Sequence, residues 1–169
     1  MITIKQLALL AAMACLTLWG CCGAALPAEE GTVVSPALDK FTLVRLRPSE
    51  GSLEELLKTE ARKAQEAGRA PFVECDAAWC SSCQELNDSL GDKRMIDAFE
   101  GTYIIRLDID EWESELPDAG FYVQGVPAFF QIDGEGKPTG YNITGAAWGE
   151  NIPENMAPPL KEYFSGSTE

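Results

Sequence analysis

The residues best suited to chemistry lie in one stretch, Asp76-Ala77-Ala78-Trp79-Cys80-Ser81-Ser82-Cys83. The apolar run ahead of it, Phe72 to Cys75, reads as a short buried strand. The segment after it carries Leu86 and Leu90 on one face and stops near Gly91, which reads as a helix opening at Cys80. A cysteine at a helix N-terminus meets unpaired backbone N–H groups and the positive end of the helix dipole, and both stabilise a thiolate. Two intervening residues bring the second sulfur back within disulfide reach on the first helical turn. Cys80 is therefore the candidate nucleophile and Cys83 the candidate resolving thiol of a dithiol–disulfide exchange. Trp79, next to the first cysteine, reads as a partly exposed shield over the pair.

Two carboxylates and a third cysteine occupy the strand. Glu74 lies in an apolar setting six residues before Cys80. Burying an unpaired charge is costly, so desolvation should raise its pKa toward the range of a general base near neutral pH. Asp76 is two residues on, and period-two geometry places it on the same face. There it adds negative charge and should hold the Cys80 thiol pKa up. Cys75 alternates to the other face, where a buried and inert thiol is expected.

The elements around this stretch follow from pattern and punctuation. Phe41 to Leu46 reads as a first strand. Ser52 with Glu55 is a capping-box signature ahead of Leu53, Leu56, Leu57, Ala61 and Ala64 at helical spacing, with Gly68 as the stop. Met95, Ile96 and Phe99 mark a further helical piece, and Tyr103 to Ile109 is the most β-rich run. A helix or loop through Leu116 to Tyr122 leads to a strand over Val126 to Ile132. Asp133-Gly134-Glu135-Gly136 forms a turn, and Pro138 to Ile143 an edge strand. Because proline breaks a helix interior, Pro158-Pro159 should sit in the first turn of a last helix beginning near Ala157. The order β-α-β-α-β-α-β-β-α describes an α/β sandwich on a mixed sheet.

The N-terminus reads as a targeting segment. Lys5 precedes an apolar run from Leu7 to Trp19, short for a membrane span and suited to a signal-peptide core. Leu18-Trp19-Gly20-Cys21 resembles the bacterial lipoprotein cleavage box, which makes Cys21 the candidate lipidation site. An ordinary secretory signal cut near Ala24-Ala25 is the alternative. The expected organisation is a signal peptide over 1–20, a flexible tether over 21–36 and a folded domain over 37–166. In an exported setting disulfides persist, and the expected location is lipid-anchored to a bacterial membrane, facing the periplasm or extracytoplasmic side. The formal net charge is −14 and no histidine is present. Without a basic cluster to neutralise phosphates, nucleic acid is not an expected partner.

From about Phe41 to Phe164 the chain resembles the thioredoxin superfamily, with Trp79-Cys80-x-x-Cys83 following a strand and Gly125-Val126-Pro127 about forty residues later. The resemblance implies a three-layer α/β/α sandwich with a central mixed β-sheet. It also implies a cis Val126-Pro127 bond facing a Cys80–Cys83 redox disulfide. Glu74 would be the proton acceptor for Cys83, where the family usually carries Asp, and Arg106 its partner on a neighbouring strand. Trp79, Val126 and Pro127 would contact an incoming peptide. The implied activity is that of a thiol–disulfide oxidoreductase needing no metal and no organic cofactor. Its partners would be disulfide-bearing exported proteins, a thiol electron donor and, through the lipid anchor, a membrane. Two rivals are a soft-metal module holding Cu(I) between Cys80 and Cys83 and a non-catalytic binding domain with a structural disulfide. Zinc would need two more ligands, and the chain has no second C-x-x-C.

Overall fold

The computed structural model describes residues 40–166. Five strands form one sheet in the order β1-β3-β2-β4-β5. They are β1 (Thr42–Arg45), β2 (Ala70–Asp76), β3 (Thr102–Asp108), β4 (Ala128–Ile132) and β5 (Pro138–Thr144). β1 and β2 run parallel to β3, which lies between them, β4 runs antiparallel to the central β2, and β5 antiparallel to β4. The sheet is thus mixed, with the proline-initiated β5 at one edge, where a missing backbone donor costs nothing to the ladder.

Alternation along the inner strands builds two cores. Val73, Cys75, Ile105 and Leu107 point to one face and pack against Leu53, Leu57, Ala61 and Ala64 of α1 (Leu53–Glu66). Phe72, Ile104 and Phe129 point to the other. There they meet α2 (Ser81–Ser89), α3 (Lys93–Ala98) and α4 (Pro153–Ser165) through Leu86, Met95, Met156, Leu160 and Phe164. Helix, sheet and helices make the three layers. The observed order is β-α-β-α-α-β-β-β-α.

The segment before β4, expected as helix or loop, is a chain of turns over residues 109–120, and two other local expectations are corrected. Trp112, Leu116 and Phe121 are buried beneath it, but Pro117 has no N–H to continue a helical ladder. Ser52 is the N-cap of α1, yet its hydroxyl makes no capping bond. The Leu53 N–H instead donates to Glu115 Oε2 at 2.8 Å, so a carboxylate from the turn segment does the capping across the fold. Finally, α4 begins at Pro153 and carries Pro158 and Pro159 in its interior. Pro158 is exposed, so the carbonyls that lose a donor there are on the wet side. Met156, Ala157, Leu160, Tyr163 and Phe164 all bury on the other side, and that packing outweighs the lost bonds.

The proposed signal segment, the tether and Cys21 lie outside the described residues.

Candidate active site

β2 ends at Asp76, whose carbonyl accepts the Ile109 N–H at 2.9 Å, and the chain then turns through Ala77-Ala78-Trp79. The Cys80 N–H closes the turn on the Ala77 carbonyl at 3.1 Å. Cys80 is the N-cap of α2, in extended conformation, and its Sγ accepts the Cys83 N–H at 3.0 Å. The sulfur therefore takes the place of a capping oxygen among the unpaired amides of the helix start, where negative charge is favoured. Cys80 and Cys83 form a disulfide with Cα atoms 5.3 Å apart. With Ala77 the two cysteines make a small buried cluster, against which Ile109 and Val126 pack.

Val126 brings the loop before β4 to the disulfide. The Val126-Pro127 peptide bond is cis, and the Pro127 carbonyl accepts the Gly145 N–H at 2.9 Å. Beyond the loop lies a cleft of about 380 Å³ lined by Ser82, Val126, Pro127, Gly145, Ala146 and Asn151, among others. Its far wall is tied to α2: the Trp148 indole N–H donates to Asn151 Oδ1 at 2.9 Å, and Asn151 Nδ2 donates to Glu85 Oε2 at 2.8 Å. Trp79, next to Cys80 in the chain, is 66% exposed, with its indole N–H donating to Asp110 Oδ2 at 2.8 Å. The ring is therefore not part of the core.

Behind the cysteines the sheet carries a buried charge network. Glu74 is buried and its Oε2 accepts from Arg106 Nε at 3.0 Å and Nη2 at 2.9 Å. Register explains the meeting, since Glu74 sits directly opposite Arg106 on the parallel β3. Arg106 Nη1 also donates to Asn87 Oδ1 of α2 at 3.0 Å. Among the described residues, Glu74 Oε1 is a buried side-chain oxygen without a hydrogen-bond partner. Burial pushes the Glu74 carboxyl pKa up, and the Arg106 guanidinium offsets part of that rise.

Asp76 is not the unbalanced second negative charge expected beside Glu74. Arg45 of β1 grips it with both guanidinium nitrogens, Nη1 at 3.1 Å from Oδ1 and Nη2 on Oδ2, and Arg106 Nε lies 3.6 Å away. Two carboxylates are thereby matched by two guanidiniums. Sequence reasoning overlooked Arg45 and Asn87. The signal for Arg45 was present: a buried Asp76 demands a cation, and Arg45 is the charged residue at the end of the edge strand β1, across β3 from Asp76. Cys75 points into the core on the α1 side, where burial pushes its thiol pKa up and keeps it unreactive.

No protein-family model matches the chain. It is 32% identical over 82 residues to the thiol:disulfide interchange protein TxlA of Synechococcus elongatus, covering 44% of this chain and 39% of that protein. The chain thus spans about two fifths of that relative's length. Among solved structures, a disulphide isomerase from Xylella fastidiosa superposes with a TM-score of 0.50 at 18% identity, over 68% of this chain and 90% of that one. Trichomonas vaginalis thioredoxin aligns at 26% identity with a TM-score of 0.43, over 62% and 86%. The strand order, the disulfide at the head of α2, the cis-proline loop beside it and the likeness to the Xylella fastidiosa structure agree: the chain has a thioredoxin-like fold.

Proposed function

We propose that this protein is a thiol–disulfide oxidoreductase that reduces or exchanges disulfides of exported proteins, with Cys80 as nucleophile and Cys83 as resolving thiol. The observation that carries the reading is the Cys80–Cys83 pair, closed at the N-terminus of α2 and packed against Val126.

In the reducing direction the Cys80 thiolate attacks one sulfur of a client disulfide. The client S–S bond breaks, a Cys80–client mixed disulfide forms, and one client sulfur leaves as a thiolate. Cys83 then gives its proton to Glu74 and attacks Cys80 Sγ. The second client sulfur leaves, the Cys80–Cys83 disulfide closes, and two electrons have passed to the client. A thiol electron donor restores the dithiol, so neither a metal nor an organic cofactor enters the cycle. Trp79 offers the client an exposed ring, and the Val126 backbone and Pro127 border the cleft in which an extended peptide lies. Export with a lipid on Cys21 would hold this chemistry at the outer face of a bacterial membrane, where client disulfides form.

The experiment is mixed-disulfide trapping in cells. Cys83→Ser leaves the first bond unresolved and should accumulate client adducts that reductant releases, whereas Cys80→Ser should not. Equal trapping by the two variants would overturn the division of roles.

A further inference from the structure

On the α2 side of the sheet, four charges from three strands lie end to end: Glu74, Arg106, Asp76 and Arg45. Glu74 and Asp76 share a strand face, and Arg45 lies opposite Arg106 across the β1–β3 ladder. Arg106 is the shared member. Its Nε and Nη2 both converge on Glu74 Oε2, while the same Nε lies 3.6 Å from Asp76 Oδ2. Asp76 is in turn clamped by both terminal nitrogens of Arg45. The remaining Arg106 nitrogen is fixed by Asn87. Asp108, across the ladder from Asp76, turns its Oδ1 to the Asp110 N–H at 2.9 Å and is occupied there. A polar cleft of about 490 Å³ on this face is bordered by Cys83, Asn87, Arg106, Arg45 and Asp108, so the network and the resolving sulfur share one wall.

Resting on the oxidoreductase reading, we propose that Asp76 and Arg45 are positioning residues that act through Arg106. Asp76 competes with Glu74 for the Arg106 guanidinium, Arg45 limits that competition, and the balance sets how readily Glu74 Oε1 holds a proton. The geometry supplies the reason. Both Arg106 bonds go to Oε2, which leaves Oε1 buried with no donor among the described residues. A proton arriving on Oε1 breaks no hydrogen bond and reduces the charge that Arg106 must balance. When Glu74 is ionised, Arg106 serves it fully. When Glu74 is protonated, the guanidinium can turn its attraction to Asp76 within the same few ångströms. In the exchange cycle the proton leaves the Cys83 thiol as Cys83 attacks Cys80 Sγ. It returns to solvent from Glu74 after the Cys80–Cys83 bond has closed.

The proposal predicts shifts of opposite sign. In Asp76→Asn, Arg106 loses its second carboxylate and Arg45 loses its partner, so both positive charges favour ionised Glu74. The Glu74 titration midpoint should fall by roughly one unit, the size expected from a nearby charge. In Arg45→Met, and in Arg45→Gln as a second neutral variant, unclamped Asp76 draws Arg106 away and the midpoint should rise by a similar amount. Arg45→Lys restores the charge and should return the midpoint toward wild type. The readout is carboxyl ¹³C NMR of the full chain in its oxidised form, with thermal unfolding to verify that each variant folds. Insulin-disulfide reduction against pH is followed in parallel and should move with the midpoints. Midpoints that stay put, or that shift the same way in both neutralising variants, would overturn the role of Asp76 and Arg45. Failure of the oxidoreductase reading would look different: wild-type protein inactive on insulin at every pH, whatever the NMR midpoints do.

Discussion

Glu74 shows how a single side chain can oppose stability in order to serve chemistry. Its carboxyl is buried, holds one guanidinium on one oxygen and leaves the other oxygen without a donor. Desolvation is the largest influence and raises its pKa above the ordinary 4.5, while Arg106 pulls the other way. A carboxyl whose pKa is higher folded than unfolded binds more protons in the native state. Its stabilising contribution is complete below the unfolded value and is lost as pH rises through the folded one. Stability should therefore decline above about pH 4.5, by at most about 1.4 kcal/mol per pH unit from this group. Glu74→Gln removes the titration. It also takes the nearer of its two carboxylates from Arg106, leaving Asp76 at 3.6 Å, and that loss is the same at every pH because arginine stays charged. The variant's curve should lie lower but lack the wild-type slope between pH 4.5 and the folded midpoint. Urea unfolding at half-unit pH steps tests this, and parallel wild-type and variant curves would count against a raised Glu74 pKa.

At the scale of elements, the turn between β4 and β5 carries a sharper constraint than its sequence suggests. Gly136 has φ +80° and lies against α1, so that a Cβ there would be 2.8 Å from the backbone of Leu57 and Lys58. Gly136→Ala meets both the left-handed penalty of about 1–2 kcal/mol and a clash with helix backbone that cannot rotate away. It should destabilise by more than about 2 kcal/mol, seen as a lower urea midpoint at unchanged m, whereas Gly140→Ala meets no neighbour within 4 Å and should cost only the backbone strain. The turn itself was legible from Asp133-Gly134-Glu135-Gly136, but its docking on α1 was not, since nothing local encodes it. The same division holds elsewhere. Cys80 at a helix start, the alternation of Glu74 and Cys75, and the edge position of Pro138 are short-range signals, and each could be read directly. The helical Pro158-Pro159, the Glu115 carboxylate capping α1 and the Arg45–Asp76 clamp all depend on contacts distant in sequence. Tertiary packing overrode local propensity at the first, and register across three strands created the last.

For the molecule as a whole, the question is which way electrons run, and the charge distribution gives a direction. The chain is strongly acidic, at −14 overall, yet the interior behind the disulfide is balanced, with Arg106 on Glu74 and Arg45 on Asp76. A strongly oxidising pair owes its potential to a reduced form whose thiolate is unusually stabilised. Here Cys80 Sγ has the α2 N-terminus and the Cys83 N–H. No histidine stands between the cysteines to add charge, and the two guanidiniums nearby are already engaged by carboxylates. Asp110, held on the Trp79 indole, adds a negative charge on the outer side. The Cys80 thiol should thus titrate closer to the thioredoxin value of about 7 than to the value of about 3.5 found in a strong oxidant. The potential should then lie nearer roughly −270 mV than roughly −120 mV. A pair with that poise would rest as the disulfide in an oxidising compartment unless a donor reduced it, so the protein should need a dedicated electron source to work in the reducing direction. Equilibration with glutathione buffers gives the potential, and thiolate absorbance across pH gives the Cys80 midpoint. A thiolate persisting below about pH 5, together with a potential above roughly −150 mV, would reverse the direction of flow.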